Sequence, residues 1–158
     1  GRLGSDDRYA HREPGADRCG EEVPVPVGVV PHDGAGHGEG PPIEVDEDGD
    51  FPVRYGSVGA FVRVEHDAPV IHFFTQAVHR VRRRAQAAIE VNLLNRDVRG
   101  VTFVLDHSTV LAKTDLVAWV FSAQVFASTL ANFLQAVDAL DEDLALRVGG
   151  RTCFTEAS

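Results

Sequence analysis

The stretch SAQVFASTLANFLQAVDALDEDLALRVGG, residues 122–150, decides how this chain is read. Phe126, Leu130, Phe133, Val137, Leu140 and Leu144 recur at alternating steps of four and three, which puts them on one side of an α-helix. Leu134 widens the stripe. Ser122 is a favoured N-cap, because its hydroxyl can accept from the free amides of the first turn. Gly149-Gly150 supplies a stop. One helix of about 25 residues spans roughly 40 Å at 1.5 Å per residue, long enough to cross a whole sheet. The pattern predicts a single closing helix as the spine of the fold.

Working back from it, Thr109 to Ala118 reads as a strand returning from the turn Asp106-His107-Ser108. Val101, Phe103 and Leu105 alternate before that turn with Thr102, Val104 and Asp106, a period of two. Gly100 stops the preceding helix, predicted over Arg82–Asn95. There Ala85, Ile89 and Leu93 recur every four residues, with Ala88 and Asn92 beside them. Further upstream, Ile43-Glu44-Val45 leads into the turn signal Asp48-Gly49-Asp50 and a strand from Phe51 to Tyr55. Ala60 to Glu65 alternates as a second strand. Val70 to Phe74, rich in β-branched and aromatic residues, is a third. The order β-β-β-α-β-β-α predicts an α+β antiparallel sheet with helices packed on one face.

Charge is unevenly spread. The chain carries a formal net charge of −9, from 15 Lys+Arg and 24 Asp+Glu. Residues 1–50 hold 4 and 13 of these, leaving 11 of each for residues 51–158. Residues 1–42 therefore read as an acidic, Gly/Pro-rich, largely disordered arm, residues 43–150 as the domain and residues 151–158 as a flexible tail. A neutral domain behind an acidic arm is a poor match for phosphate backbones, so no nucleic acid is expected. No apolar run is long enough for a membrane span, and no signal peptide is visible. Cys19 and Cys153 read as two free thiols, which implies a cytoplasmic protein. The missing Met and the opening Gly1-Arg2-Leu3-Gly4-Ser5 read as a fragment or a processed chain.

The candidate chemistry is thin. Asp106-His107-Ser108 has the residue types of a hydrolytic triad, but consecutive positions in a tight turn cannot converge on one reacting atom. His32, Asp33, His37 and Glu39 lie in a Gly-rich segment without a rigid frame, so no metal is expected. The stretch Gly34–Gly40 lacks the Lys-Ser/Thr that a phosphate loop needs, and no cofactor is expected. Histidines His72 and His79 fall around the third strand, where one should be partly buried with a partner. Arg80, Arg82, Arg83 and Arg84 cluster before the middle helix and fit an anionic contact, either from a partner or from the chain's own Asp46, Glu47, Asp48 and Asp50. Two helices cannot cover both sides of a five-stranded sheet. One face should thus expose apolar groups such as Phe61, Phe73 or Val104, and the open sheet edges could accept an added strand.

Several segments together resemble the YbjN-like and type III secretion chaperone-like domains of bacteria, notably the actinobacterial members grouped as peptide-binding chaperones. They are Asp46-Glu47-Asp48-Gly49-Asp50 before a first strand, Ala60-Phe61-Val62-Arg63-Val64 as a second, and Ile89-Glu90-Val91-Asn92-Leu93-Leu94-Asn95 before Gly100. The fourth is the closing helix, with Val137-Asp138-Ala139-Leu140-Asp141-Glu142 near its end. The resemblance covers about residues 43–150. It implies a helix–sheet sandwich that often dimerises and holds extended peptides, and whose relatives usually begin with a helix that residues 1–42 cannot provide. The expected function is a non-catalytic adaptor shielding an extended segment of a client protein or peptide, as a homodimer. Phe61, Phe73, Val104, Arg82, Arg83 and Arg84 are its candidate contacts. The alternatives are a structural dimerisation module of a larger protein, and an enzyme whose site is assembled across the fold.

Overall fold

The computed structural model describes residues 45–46 and 49–154. The elements are β1 (Phe51–Tyr55), β2 (Val58–Val64), β3 (Val70–Val78), α1 (Arg84–Asp97), β4 (Thr102–Asp106), β5 (Thr109–Val117), α2 (Ala123–Asp138) and α3 (Asp141–Val148). The five strands form one antiparallel sheet in the order β1-β2-β3-β5-β4. Consecutive strands pair through short turns. The crossover is the α1 segment, which lets β5 pair with β3 and puts β4 at the edge.

Register assigns the two faces. Val62 lies opposite Phe73, Ala60 opposite Thr75, Thr75 opposite Ala112 and Phe103 opposite Ala112, so these residues share one face. That face is the core: Phe73, Phe103 and Val110 are fully buried, with Leu130, Phe133, Leu134 and Val137 of α2 and Leu144 and Val148 of α3 packed on them. Ala60 and Ala112 leave room for Phe73 and Phe103, the large-beside-small arrangement that fills a core without voids. β3 carries a register shift between Gln76 and Val78, and both Ala77 and Val78 are buried there.

Each edge strand is guarded at one position, and the rest of each edge stays open as the sequence leads one to expect. β1 has Pro52, which lacks an amide donor. On β4, the Asn95 side chain does what a further strand would do. Its Nδ2 donates to the Phe103 carbonyl at 2.9 Å and its Oδ1 accepts from the Phe103 amide at 2.8 Å.

The predicted spine is broken. α2 ends at Asp138 and α3 starts at Asp141, so the apolar stripe runs over two rods rather than one. Neither Gly nor Pro stands at the break, and the cause is tertiary. The β1–β2 turn presents Ser57 to the joint. Its amide donates to Asp138 Oδ1 at 2.9 Å, while its hydroxyl lies 3.0 Å from Asp138 Oδ1 and 2.8 Å from Asp141 Oδ2. Gly56 is required beside it, since a Cβ there would stand 2.2 Å from Asp138 Oδ1. The bend then turns α3 towards β3 and α1.

The middle helix is real, but the stripe that predicts it faces solvent. Ala85, Ala88, Ile89, Asn92 and Leu93 are exposed, whereas Ala87 and Glu90 are buried, with Val91 and Leu94 packed against the core. Glu90 hides the true inner face from a hydrophobicity pattern. It sits inside because Gln86 donates to it at 2.8 Å and Arg147 lies 3.4 Å away. The segment after α3, expected as the start of a flexible tail, is held as far as Phe154. His79 and Arg151 form a β-bridge, and the Phe154 ring lies over Gly59 and under the Arg54 guanidinium, 4.3 Å from ring centre to Cζ. Cys153 is disulfide-bonded, against the free thiol expected.

The Ser57 joint makes a testable statement about pH. One hydroxyl has one proton, so hydrogen bonds to both carboxyl groups need a proton from one of them. Asp141 is 1% exposed, and its Oδ1 has no partner. Burial holds its carboxyl above the usual carboxylate range, with nearby Asp138 and Glu142 pushing the same way and the Ser57 hydrogen bond opposing. A raised folded-state value means stability present at low pH and lost as pH climbs through that value. Asp141→Asn, which keeps the shape without the titration, should gain stability relative to the native chain as pH rises from 4 towards 7. Urea unfolding at a series of pH values reads this directly, and parallel curves would refute it.

Candidate protein-interaction surface

Among the described residues, no helix covers the second sheet face. Phe61 lies opposite Phe74, and their rings stack at 5.7 Å. Val104 lies opposite Leu111 on the same face and is part-exposed. A polar row crosses it as well, through Arg63, His72 and Asp115. His72 Nδ1 lies 2.8 Å from Asp115 Oδ1 and its Nε2 3.3 Å from Glu65 Oε2, while His79 Nε2 lies 3.4 Å from the Thr152 carbonyl oxygen, so both histidines around the third strand have partners. Arg63 holds the buried Asp50 by both carboxylate oxygens at 2.6 Å and covers the Phe74 ring at 5.2 Å. Asp50 is thereby committed to Arg63, which removes it from the acidic set expected to screen the arginine cluster.

The predicted contact residues separate into three groups. Phe61 and Val104 take the expected face. Phe73 does not: the register turns it under α2, fully buried, with ring centres 5.5 Å from Phe126 and 6.4 Å from Phe133. A run of adjacent aromatics, Phe73-Phe74, must place one on each face of a strand, and the core takes the first. Arg82, Arg83 and Arg84 are exposed, far from this face, where α1 begins beside the end of α3.

Among the described residues, the most exposed apolar run was not singled out by sequence reading. Trp119 is 81% exposed, Val120 88% and Phe121 61%. They fill the gap between β5 and the Ser122 cap, which accepts from the Val125 amide at 3.4 Å. The signal was present: three large apolar residues stand outside both the strand period and the helix period, so no element buries them. Val117 on the uncovered sheet face and Val125 on α2 extend the patch. Phe121 touches Phe126 at 6.0 Å between ring centres, and Phe126 touches Phe73, so an aromatic chain runs from surface to core. From Leu116 to Val137 the sequence holds no Asp, Glu, Lys or Arg. The surface of α2 is therefore uncharged as far as Val137.

The other candidates stay apart. Asp106-His107-Ser108 forms the β4–β5 turn, with His107 in left-handed backbone at φ 47° and its Nδ1 2.7 Å from Asp106 Oδ1. A depression of about 650 Å³ lies where α1 ends and β4 begins, lined by residues including Arg96, Arg99, Lys113 and Asp115. Among the described residues no three His, Cys, Asp or Glu side chains gather as metal ligands. His32, Asp33, His37 and Glu39 lie outside the described residues. Within them, no helix is long and apolar enough to cross a membrane.

A family model described as "T3SS (YopN, CesT) and YbjN peptide-binding chaperone 1" matches residues 35–156. No curated protein matches the chain. Among solved structures, the ExsC–ExsE complex aligns with 18% identity over 67% of this chain and 84% of its own, at a TM-score of 0.52. The HopA1–SchA chaperone–effector complex aligns at 10% identity, covering 65% and 82%, with a TM-score of 0.49. The Yersinia pestis type III secretion chaperone SycH, bound to a fragment of YscM2, aligns at 17% identity over 62% and 85%, with a TM-score of 0.46. These likenesses concern the fold.

The placement of Phe73 is open to direct test. Phe73→Ala removes a ring from a closed core and should cost about 3–5 kcal/mol of stability. Val104→Ser, on the uncovered face, should cost less than ~1 kcal/mol. Denaturant unfolding of the two variants compares them, and equal losses would contradict the register.

Proposed function

The chain belongs to the family of T3SS and YbjN peptide-binding chaperones, and we propose that it is a non-catalytic adaptor that binds and shields a segment of a client protein. One observation carries the reading: Trp119, Val120 and Phe121 stand in solvent side by side. Burying a side chain of this size is favourable by about 1.5–3 kcal/mol, so a patch of three invites a covering partner. Val117 links the patch to the sheet face that carries Phe61, Phe74 and Val104. An extended segment laid along that line would meet apolar contacts at both ends. The guarded position on each edge favours side-chain contacts over an added strand.

A second reading concerns a second copy of this chain. Ile89, 55% exposed, and Leu93, 37% exposed, follow Ala85 along the outer side of α1. A two-fold pairing of such helices would bury the same apolar stripe from each copy. Ile89→Glu with Leu93→Glu should then convert a dimer to a monomer in sedimentation, with the melting profile kept.

Trp119 is the chain's single tryptophan, so its fluorescence reports on the patch. An uncharged amphipathic peptide of Leu, Ala, Ser and Gln is a suitable probe. Binding should shift Trp119 emission to the blue and quench its access to iodide. Val120→Ser with Phe121→Ser should weaken binding at least tenfold while leaving the unfolding midpoint near that of the native chain. Unchanged affinity in that variant would remove the patch from the client site.

A further inference from the structure

Six arginines meet where α3 ends. Arg80, Arg82, Arg83 and Arg84 lead into α1, Arg147 lies in the last turn of α3, and Arg151 follows Gly149 and Gly150. Backbone contacts hold the two segments together. His79 and Arg151 exchange N–H···O bonds of 2.8 and 2.9 Å, and the Arg83 amide donates to the Val148 carbonyl at 3.0 Å. The glycines make the crossing close. A Cβ at Gly150 would stand 2.4 Å from Val78 Cγ1 and 2.9 Å from the His79 carbonyl oxygen.

This concentration of charge is poorly neutralised. Arg147 lies 3.4 Å from Glu90, and Arg83 spends Nη1 on the Arg147 carbonyl at 3.2 Å. Among the described residues, Arg80, Arg82, Arg84 and Arg151 make no ion pair, and all four are exposed. The His79 imidazole between them is held below its ordinary value, first by burial and then by Arg80 and Arg151. α1 adds to the same field, because its first turn has no acidic residue and no side-chain cap, so the positive end of the helix dipole is uncompensated. Arg80 is also held in left-handed backbone at φ 55°, which a non-glycine residue adopts only when the surrounding structure imposes it.

We infer that this arginine patch binds an acidic segment of a protein partner, one presenting several carboxylates to the exposed guanidinium groups. The inference rests on the peptide-binding reading above and names a second determinant for the partner, remote from Trp119. Guanidinium groups suit carboxylates because each can give two parallel hydrogen bonds. The remaining features favour a protein over a nucleic acid. The chain carries a net charge of −9, which repels a polyanion at longer range, and no Phe, Tyr or Trp stands among residues 79–84 or 147–151 to stack on a base. A short acidic segment feels mainly the local patch, within a Debye length of about 10 Å at 0.1 M salt.

The test uses the whole chain with three labelled probes: a 15-residue peptide of Glu, Asp, Gly and Ser, its Gln/Asn counterpart, and a single-stranded 15-nucleotide DNA of mixed sequence. Fluorescence anisotropy should show binding of the acidic peptide, at least tenfold weaker for the uncharged one, and at least tenfold weaker again in 300 mM than in 50 mM NaCl. Arg82→Gln, Arg84→Gln and Arg151→Gln together should reduce acidic-peptide affinity at least tenfold. Arg99→Gln, on a cation away from the patch, should leave it within twofold. Each single exchange is measured too, so that a misfolded triple variant does not decide the matter. No binding of the acidic peptide, equal binding by the triple variant, or tighter binding of the DNA would each overturn the inference. The uncharged amphipathic probe read through Trp119 is run beside these. If it still binds while the acidic peptide fails, only the arginine assignment falls. If it also fails, the client-binding reading falls with it.

Discussion

The contact between Ser57 and the pair Asp138 and Asp141 sets the direction of everything after α2. The bend at Ala139 and Leu140 returns α3 over β3 and against α1, where Leu144, Ala145 and Val148 are buried. The return also brings Gly149 and Gly150 across residues 78–83, which gathers arginines from two distant parts of the chain. A single buried hydroxyl thus decides the shape of the helical layer and the placing of the most concentrated positive charge. Its cost is a buried carboxyl oxygen without a partner, Asp141 Oδ1, of the kind expected to require neutralisation.

The sheet places a different constraint on the molecule. Strand alternation puts Phe73, Thr75 and Ala77 under the helices and His72, Phe74 and Gln76 on the other side, so β3 separates a helix-covered face from one that no helix covers among the described residues. On that second face, Arg63 pairs with Asp50, and His72 bridges Glu65 and Asp115, which sets polar groups between the apolar ones. The Asn95 side chain closes the edge of β4 at Phe103 with two hydrogen bonds, and that position offers little to a stray strand. The combination limits unspecific sheet pairing while leaving side-chain contacts available.

Element order was readable because local signals were strong. Alternation in β2 and β4, the Ser122 cap and the turn at Asp106-His107-Ser108 each point to what the structure shows. What could not be read depended on partners distant in sequence. The α2–α3 break has no local breaker, since Ser57 causes it from a hairpin far upstream. The inner face of α1 contains Glu90, so the hydrophobic stripe of Ala85, Ile89 and Leu93 indicated the helix while marking its outer side. Phe73 and Phe74 were interchangeable until pairing with Val62 and Phe61 assigned each a face. Of the candidate contacts, the arginines were visible as a run, but Arg147 and Arg151 join them only through the glycine crossing. The disulfide of Cys153 was outside the reach of spacing arguments altogether.

The two surfaces differ in the physics they bring to a partner. The Trp119 patch and the uncharged exterior of α2 attract by burial of apolar area, which is non-directional and nearly indifferent to salt. The arginines act through charge, which orients an approaching segment, speeds its arrival and weakens with salt. They stand at separate places on the molecule: the patch follows β5, and the arginines lie where α1 begins and α3 ends. A partner engaging both must therefore be long enough to span them, with its apolar and acidic portions separated along the chain. Such a division suits the client binding proposed above, because each portion alone is weak and the connection between them raises the effective concentration of the second contact once the first has formed.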